Sequence, residues 1–338
     1  MPPPEHLLLV RPGFESDLVS ELAAARLSAS ACGPGLVRAS GQLPPAPFIF
    51  ERQRLPDAGY LSEPALKPVT DETLGAVTAR LRASAGPWLL QVYATEPELH
   101  DRAAGFARAV LRLVERHLPA VAARQVDGAT EADPLVVQWC RVAGGLWYST
   151  APRSALTSPW VGGIARMRDD PRAPSRSYLK IEEAFARMGL EPTPGQTSVD
   201  LGAAPGGWTL ALAKRGCHVI AVDNGPLRLP PPEAGWGRVD YVRANGITFE
   251  PRQPVDWLVA DMLVAPGVVL GLLRRWIGQR LLRQCVVNVK IPQADAYAAV
   301  APIAQYVRSQ GSGFSVQLCQ LYHDRDEITV MGRATVVP

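Results

Sequence analysis

Apolar segments of strand length alternate with segments of helical periodicity from residue 177 to the C-terminus. The strand-like segments are TSVDLG, HVIAVDNG, VDYVRANG, VDWLVADM and QCVVNVKIP. Continuous apolar runs of this kind are typical of parallel strands with helices packed on both faces of the sheet. The last two strand-like segments, FSVQLCQ and EITVMGRA, are separated by a short turn, which favours an antiparallel pair. Residues 177–338 therefore predict an α/β fold with a mostly parallel sheet and an antiparallel edge hairpin.

The N-terminal part, residues 1–151, predicts a smaller α+β domain. PWLLQVYAT (87–95) has the composition of a strand, DRAAGFARAVLRLVERHL (101–118) has helical periodicity, and Gly144-Gly145 joins two further strand patterns. Proline is frequent from 44 to 68, which indicates loops and short elements. Residues 152–176 show neither helical nor strand periodicity in their apolar residues, and they contain five arginines. We therefore interpret them as a linker that is either simply solvated or in contact with RNA.

Composition excludes several classes of protein. Hydrophobic residues make up 47% of the chain, but no apolar run approaches the roughly 20 residues that cross a membrane. The N-terminus lacks the basic and apolar regions of a signal peptide, so we expect a cytoplasmic protein with no membrane partner. The five cysteines are scattered without a CxxC pair, and we therefore expect neither a disulfide framework nor a bound metal.

Charge is distributed unevenly. Residues 1–150 contain 14 basic and 16 acidic residues, whereas residues 151–338 contain 21 basic and 16 acidic residues. The excess of basic residues in 151–338 is compatible with random scatter or with a C-terminal half that binds a polyanion. Only four of the 35 basic residues are lysine: Lys67, Lys180, Lys214 and Lys290. Lysine retained in so arginine-rich a chain indicates sites where a compact ammonium is needed.

The segment VDLGAAPGGWTLALAKRG (199–216) places a glycine-rich turn between a strand and a helix. Such a turn brings backbone close to a ligand and presents unpaired N–H groups. Its residues Gly202, Ala204, Pro205, Gly206 and Gly207 depart from the dinucleotide fingerprint, because Pro205 removes a donor and stiffens the turn. Asp223, at the end of the next strand, is an acceptor for a ribose diol.

DLGAAPGGW resembles the first motif of Rossmann-fold RNA 2′-O-ribose methyltransferases that use S-adenosyl-L-methionine. That family has a Lys-Asp-Lys-Glu tetrad, and this chain has the same order in Lys180, Asp261, Lys290 and Glu327. The resemblance implies S-adenosyl-L-methionine as cofactor and these four residues as the catalytic group. Taken singly, Lys180 also fits a solvated helix face, Asp261 a helix N-cap and Glu327 a charged turn.

Longer segments narrow the resemblance to bacterial 23S rRNA cytidine 2′-O-methyltransferases with an N-terminal THUMP-type RNA-binding domain. These segments are RPGFE, SPWVGGIARM, APSRSYLKIEEA and LYHDRDEITV. The similarity covers nearly the whole chain and is weaker from 35 to 135. It implies that the protein methylates a ribose 2′-hydroxyl of a cytidine in 23S rRNA, and we expect it to act as a monomer.

The same resemblance assigns the cofactor contacts. They are Ser177, Gly202, Ala204, Pro205, Gly206, Gly207, Trp208, Asp223, Asn245 and Asp261. Asn245 departs from the family, which usually has an acid where the adenine is held, and its amide donors change the pairing. Trp208 is equally compatible with a role in helix packing.

Lys290 follows a buried strand, at the edge where open α/β sheets bind ligands, so we interpret it as the general base or the group that orients the hydroxyl. A lysine acts as a base only when desolvation or a second ammonium, here Lys180, lowers its pKa. Three alternatives remain open at this point: a methyltransferase for tRNA or an mRNA cap, a non-catalytic RNA-binding or ribosome assembly factor, and an NAD-dependent dehydrogenase.

Overall fold

The computed structural model describes residues 4–62, 71–127 and 133–335. The chain divides into two compact units, Met1–Ile164 and Ala165–Pro338. The division lies inside the segment 152–176 that the sequence predicts as a linker. Lys67 and part of the proline-rich segment lie outside the described residues. No helix in the described ranges has the length and apolarity required to cross a membrane.

The first unit contains two four-stranded sheets. The elements of the first sheet and its helix are β1 (Glu5–Leu9), α1 (Glu15–Ala24), β2 (Ser28–Gly33), β3 (Leu36–Ser40) and β4 (Gln53–Leu55). The other elements of this unit are β5 (Gly59–Ser62), α2 (Asp71–Ala83), β6 (Trp88–Ala94), α3 (His100–His117), α4 (Pro119–Ala122), β7 (Leu135–Val142) and β8 (Gly145–Pro152). The first sheet has the order β2-β3-β1-β4 and is antiparallel, and the second has the order β5-β8-β7-β6.

The sequence patterns located β6, α3 and the β7–β8 hairpin to within a residue or two. They did not identify the β2–β3 hairpin. Its outer strand, SASACG, consists of small residues that are mostly exposed, so it lacks the apolar alternation that marks a strand. That strand is at the sheet edge and pairs only with β3 among the described residues.

The second unit contains a seven-stranded sheet with helices between its strands. Its elements are α5 (Tyr178–Met188), β9 (Thr197–Leu201), α6 (Gly207–Lys214), β10 (His218–Val222), β11 (Val239–Val242), β12 (Val255–Ala260), α7 (Pro266–Gly278), β13 (Leu282–Lys290), α8 (Ala296–Ser309), β14 (Phe314–Cys319) and β15 (Glu327–Ala334). The order is β11-β10-β9-β12-β13-β15-β14. The first five strands are mutually parallel, and β15 is antiparallel to both of its neighbours. The predicted Rossmann-like fold with an antiparallel edge hairpin is therefore confirmed.

β15 inserts between β13 and β14, although it is the last strand in sequence. In this antiparallel ladder the final residue of β13, Lys290, lies opposite the first residue of β15, Glu327. Asn288 and Thr329 form the equivalent pair two residues further along. Because side chains alternate between the faces of a sheet, all four of these side chains lie on one face.

Glu183 anchors the turn before β15 to helix α5. Its side chain is completely buried, and its oxygens accept hydrogen bonds from the backbone N–H groups of Tyr322 and His323. His323 Nδ1 lies 2.8 Å away from the carboxylate, and Arg187 forms an ion pair with it at 3.1 Å. Burial alone would raise the pKa of Glu183, but these hydrogen bonds and Arg187 outweigh burial and lower it.

Replacing Glu183 with Gln should lower the free energy of unfolding by about 3 kcal/mol at neutral pH, because the buried ion pair between Glu183 and Arg187 is lost. The pKa of Glu183 is lowered on folding, so its stabilisation is present above its unfolded pKa and is lost as pH falls through the folded value, below 4.5. Urea denaturation at several pH values measures both effects.

Glu182→Gln is the matched control, since the neighbouring carboxylate pairs with Arg215 at a partly exposed position. Its expected cost is about 1 kcal/mol or less. Equal losses in the two variants would contradict the anchoring role of Glu183.

Candidate active site

The glycine loop between β9 and α6 forms one wall of the site. Gly202 has a φ of +78° and Gly206 a φ of +120°, values that side chains rarely adopt. A Cβ at Gly202 would lie 2.7 Å from Met262 and 3.3 Å from the carbonyl oxygen of Asp261. The loop therefore packs directly against the residues that follow β12, and any larger residue at 202 would separate them.

Asp223 supports the loop from the neighbouring strand. Its carboxylate accepts hydrogen bonds from the backbone N–H groups of Ala204 at 2.9 Å and Gly225 at 2.7 Å. These two bonds leave acceptor capacity on both oxygens for further donors. A half-buried carboxylate at the rim of a glycine loop fits the adenosine end of S-adenosyl-L-methionine.

The remaining predicted cofactor residues lie after β11 and at the starts of helices α5 and α6. Asn245 follows β11, is exposed, and accepts a hydrogen bond from the N–H of Ile247 at 2.9 Å. Ser177 precedes α5, and its hydroxyl lies 2.7 Å from that of Ser175. A Cβ on Gly207 would lie 3.0 Å from the hydroxyl of Ser177 and 2.6 Å from that of Ser175. The start of α6, which follows Pro205 and Gly206, is therefore tightly packed against these two serines.

Trp208 differs from the other residues in this set. Its side chain is 3% exposed, lies in the core cluster under the sheet, and donates from Nε1 to the carbonyl oxygen of Ser177 at 2.9 Å. This burial favours a role for Trp208 in helix packing over direct contact with the cofactor. Through that hydrogen bond Trp208 holds the start of α5 against α6.

Lys180, Asp261, Lys290 and Glu327 come together at the carboxyl edge of the sheet. Lys180 Nζ lies 3.2 Å from Asp261 Oδ2 and also contacts Glu327 Oε2. Lys290 Nζ contacts the other oxygen of Glu327. Glu327 thus bridges two ammonium groups, and the four side chains form one continuous network of opposite charges.

Lys290 is the most exposed of these four side chains, at 30%, whereas Lys180, Asp261 and Glu327 are 16% exposed or less. Partial burial lowers the pKa of Lys290, and the ammonium of Lys180 lowers it further, whereas Asp261, Asp326 and, in its ionised form, Asp324 act in the opposite direction. The net effect is a lowered pKa, so a larger fraction of this lysine is neutral at a given pH than for a free lysine.

Asn288, which the sequence patterns did not identify, connects the two carboxylates from beneath. Its amide nitrogen donates to Asp261 Oδ1 at 3.2 Å and to Glu327 Oε2 at 3.3 Å, and its side chain is 1% exposed. Both amide protons are therefore used by the network. The only sequence signal was a polar residue within the otherwise apolar run VVNV that precedes Lys290.

Thr329 and Asp324 continue this connection into the core. Thr329 Oγ1 lies 2.8 Å from Asn288 Oδ1 and 2.9 Å from Asp324 Oδ2. A hydroxyl has one proton, so both contacts are hydrogen bonds only when Asp324 is protonated and donates to Thr329. Burial raises the pKa of Asp324 to about 7, which supports this arrangement.

Replacing Thr329 with Val should reduce the methyl-transfer rate on the order of 100-fold, because Asn288 Oδ1 loses the hydroxyl that donates to it and the amide no longer fixes the carboxylates. Cofactor affinity should change little, since Thr329 lies behind Asn288 rather than at the glycine loop. Thr329→Ser retains the hydroxyl and is the matched control. Single-turnover rates and calorimetric cofactor titrations provide the two measurements; equal rates in Val and Ser variants would remove Thr329 from the network.

Comparison with known proteins identifies relatives along the whole chain. Residues 173–301 match the FtsJ-like methyltransferase family model. Ribosomal RNA large subunit methyltransferase M from Laribacter hongkongensis is 34% identical over 96% of this chain and 95% of its own. The protein of that name from Methylococcus capsulatus is 37% identical over 83% of this chain and 79% of its own. The Azotobacter vinelandii protein is 42% identical over 51% of each chain.

These matches span both units and include the glycine loop, and they confirm the resemblance that the motifs indicated. The chain belongs to the ribosomal RNA large subunit methyltransferase M family.

Proposed function

We propose that this protein methylates the ribose 2′-hydroxyl of a cytidine in 23S rRNA, acting as a cytoplasmic monomer. The observation that carries the proposal is the convergence of Lys180, Asp261, Lys290 and Glu327 beside Gly202. Four charged groups from distant parts of the sequence meet at the sheet edge where open α/β folds bind ligands. The unit Met1–Ile164 is proposed to be the THUMP-type domain that binds the RNA.

The cofactor residues fit S-adenosyl-L-methionine as the donor. When bound, it supplies a methyl group on a positively charged sulfonium, which the 2′-oxygen accepts as the carbon–sulfur bond breaks. The two ammonium groups and two carboxylates sum to zero charge, so the cluster does not repel such a cation. Asp223 and the loop backbone bind the nucleoside part, and Asn245 contacts the adenine.

Lys290 acts on the substrate hydroxyl. Its neutral amine accepts the 2′-hydroxyl proton and becomes an ammonium, while the oxygen electron pair forms the new bond to carbon. Glu327 holds Lys290 through Oε1, while its Oε2 contacts Lys180. Holding the hydroxyl in line with the methyl group also removes much of the entropic part of the barrier.

Substitution of Lys290 by Ala should reduce methyl transfer to unmodified 23S rRNA by about 100-fold to 10,000-fold, while cofactor affinity is retained. Lys214→Ala is the matched control, because Lys214 pairs with Asp170 away from the tetrad. Transfer of labelled methyl groups, followed by mapping of 2′-O-methylated nucleotides, measures the effect and identifies the target. Near-normal turnover by Lys290→Ala would contradict the assignment of the base.

The rate of a single turnover should rise with pH and level off above the pKa of Lys290, which lies below the usual 10.5. Removing the second ammonium in Lys180→Met should move this rise to higher pH, because Lys180 lowers the pKa of Lys290. A rise that stays at the same pH in the variant would show that the two lysines are not coupled.

A further inference from the structure

A groove of about 500 Å³ borders the side chain of Lys290. Its walls come from the segment between β12 and α7, from the residues after β13, and from one residue of α8. The main lining residues are Leu263, Val264, Pro266, Lys290, Ile291 and Pro292. Among the described residues that line the groove, only Lys290 has a side chain able to form hydrogen bonds.

Leu263 at this groove is unusually exposed. Its side chain is 86% accessible, and the next most exposed large apolar side chain in the described ranges is Tyr60 at 45%. Leu263 follows Asp261 by two residues and lines the same groove as Lys290, a member of the charged network. Covering such a side chain with an apolar surface is favourable, and its exposure next to the site indicates a ligand that covers it.

Taking the proposed function as its basis, we infer that this groove holds the base of the target nucleotide, stacked on Leu263. The ribose carbon that bears the 2′-hydroxyl is bonded directly to the carbon that bears the base. A hydroxyl in contact with Lys290 therefore brings its base beside the same lysine, which is one wall of the groove. Every base has an apolar face for stacking, and RNA enzymes act on nucleotides splayed out of loops and bulges.

The chemistry of the lining limits what the groove recognises. Its aliphatic side chains contact the face of a base but cannot read its hydrogen-bonding edge. The groove therefore positions the nucleotide without distinguishing cytosine from uracil, which are of similar size. Selection of the target cytidine then comes from the RNA structure around it and not from these side chains.

The test uses the full-length protein and an unmodified 23S rRNA transcript. In Leu263→Ala the KM for the transcript should rise about tenfold, with kcat and cofactor affinity unchanged, because stacking surface is lost. Leu263→Phe restores a flat apolar surface and should keep the KM near that of the wild type. Val268→Ala is the matched control, since Val268 is also exposed but does not line the groove.

A transcript with uridine at the mapped target should be methylated with a kcat/KM within about threefold of the cytidine transcript. An unchanged KM in Leu263→Ala, or a large loss with uridine, would overturn the inference. Failure of the wild type to methylate the cytidine transcript would instead contradict the proposed function, so the two failures are distinguishable.

Discussion

The antiparallel pairing of β13 with β15 determines where the charged groups of this protein meet. The same register that places Lys290 opposite Glu327 places Asn288 opposite Thr329, on the same face and one layer deeper. A slip of one residue would leave Lys290 and Asn288 on this face but turn Glu327 and Thr329 to the other face, which would disperse the network. The charged pair and the amide beneath it are therefore specified by one set of backbone hydrogen bonds. The buried segment of β13 from Cys285 to Val289 fixes that register through its packing.

Helix α5 contributes a second constraint, because it carries two charged side chains that contact opposite ends of the same segment. Lys180 contacts Asp261 and Glu327 at the site, while Glu183, one turn later, binds the turn at 322–323. Residues three apart on a helix lie on adjoining parts of one face. Helix α5 thus holds β15 at its first residue, Glu327, and also holds the turn that precedes it. Trp208 fixes the beginning of that helix by donating to Ser177, so its burial serves the site indirectly.

The fold of the second unit was predictable from the sequence because buried parallel strands and amphipathic helices leave strong patterns. The tetrad was predictable only through the family resemblance, since Lys180 and Glu327 taken singly fit ordinary surface positions. Asn288 and Thr329 were not predicted, because their roles depend on strand order: β15 lies between β13 and β14, and no local pattern encodes that insertion. In the first unit, the β2–β3 hairpin escaped prediction because its outer strand is stabilised by pairing with β3 and not by an apolar face.

The electrostatics of the site explain why positions 180 and 290 are lysine and not arginine. An arginine at position 290 would form the same pair with Glu327, but its guanidinium does not lose a proton in proteins and could not serve as a base. An ammonium at 180 has a different requirement: it must contact two carboxylates and leave room for Lys290, which suits a compact charge. The carboxylates alone would raise the pKa of Lys290. Burial and the second ammonium are what lower it, so the positive charge of Lys180 acts on Lys290 in addition to the hydrogen bonds that Lys180 makes.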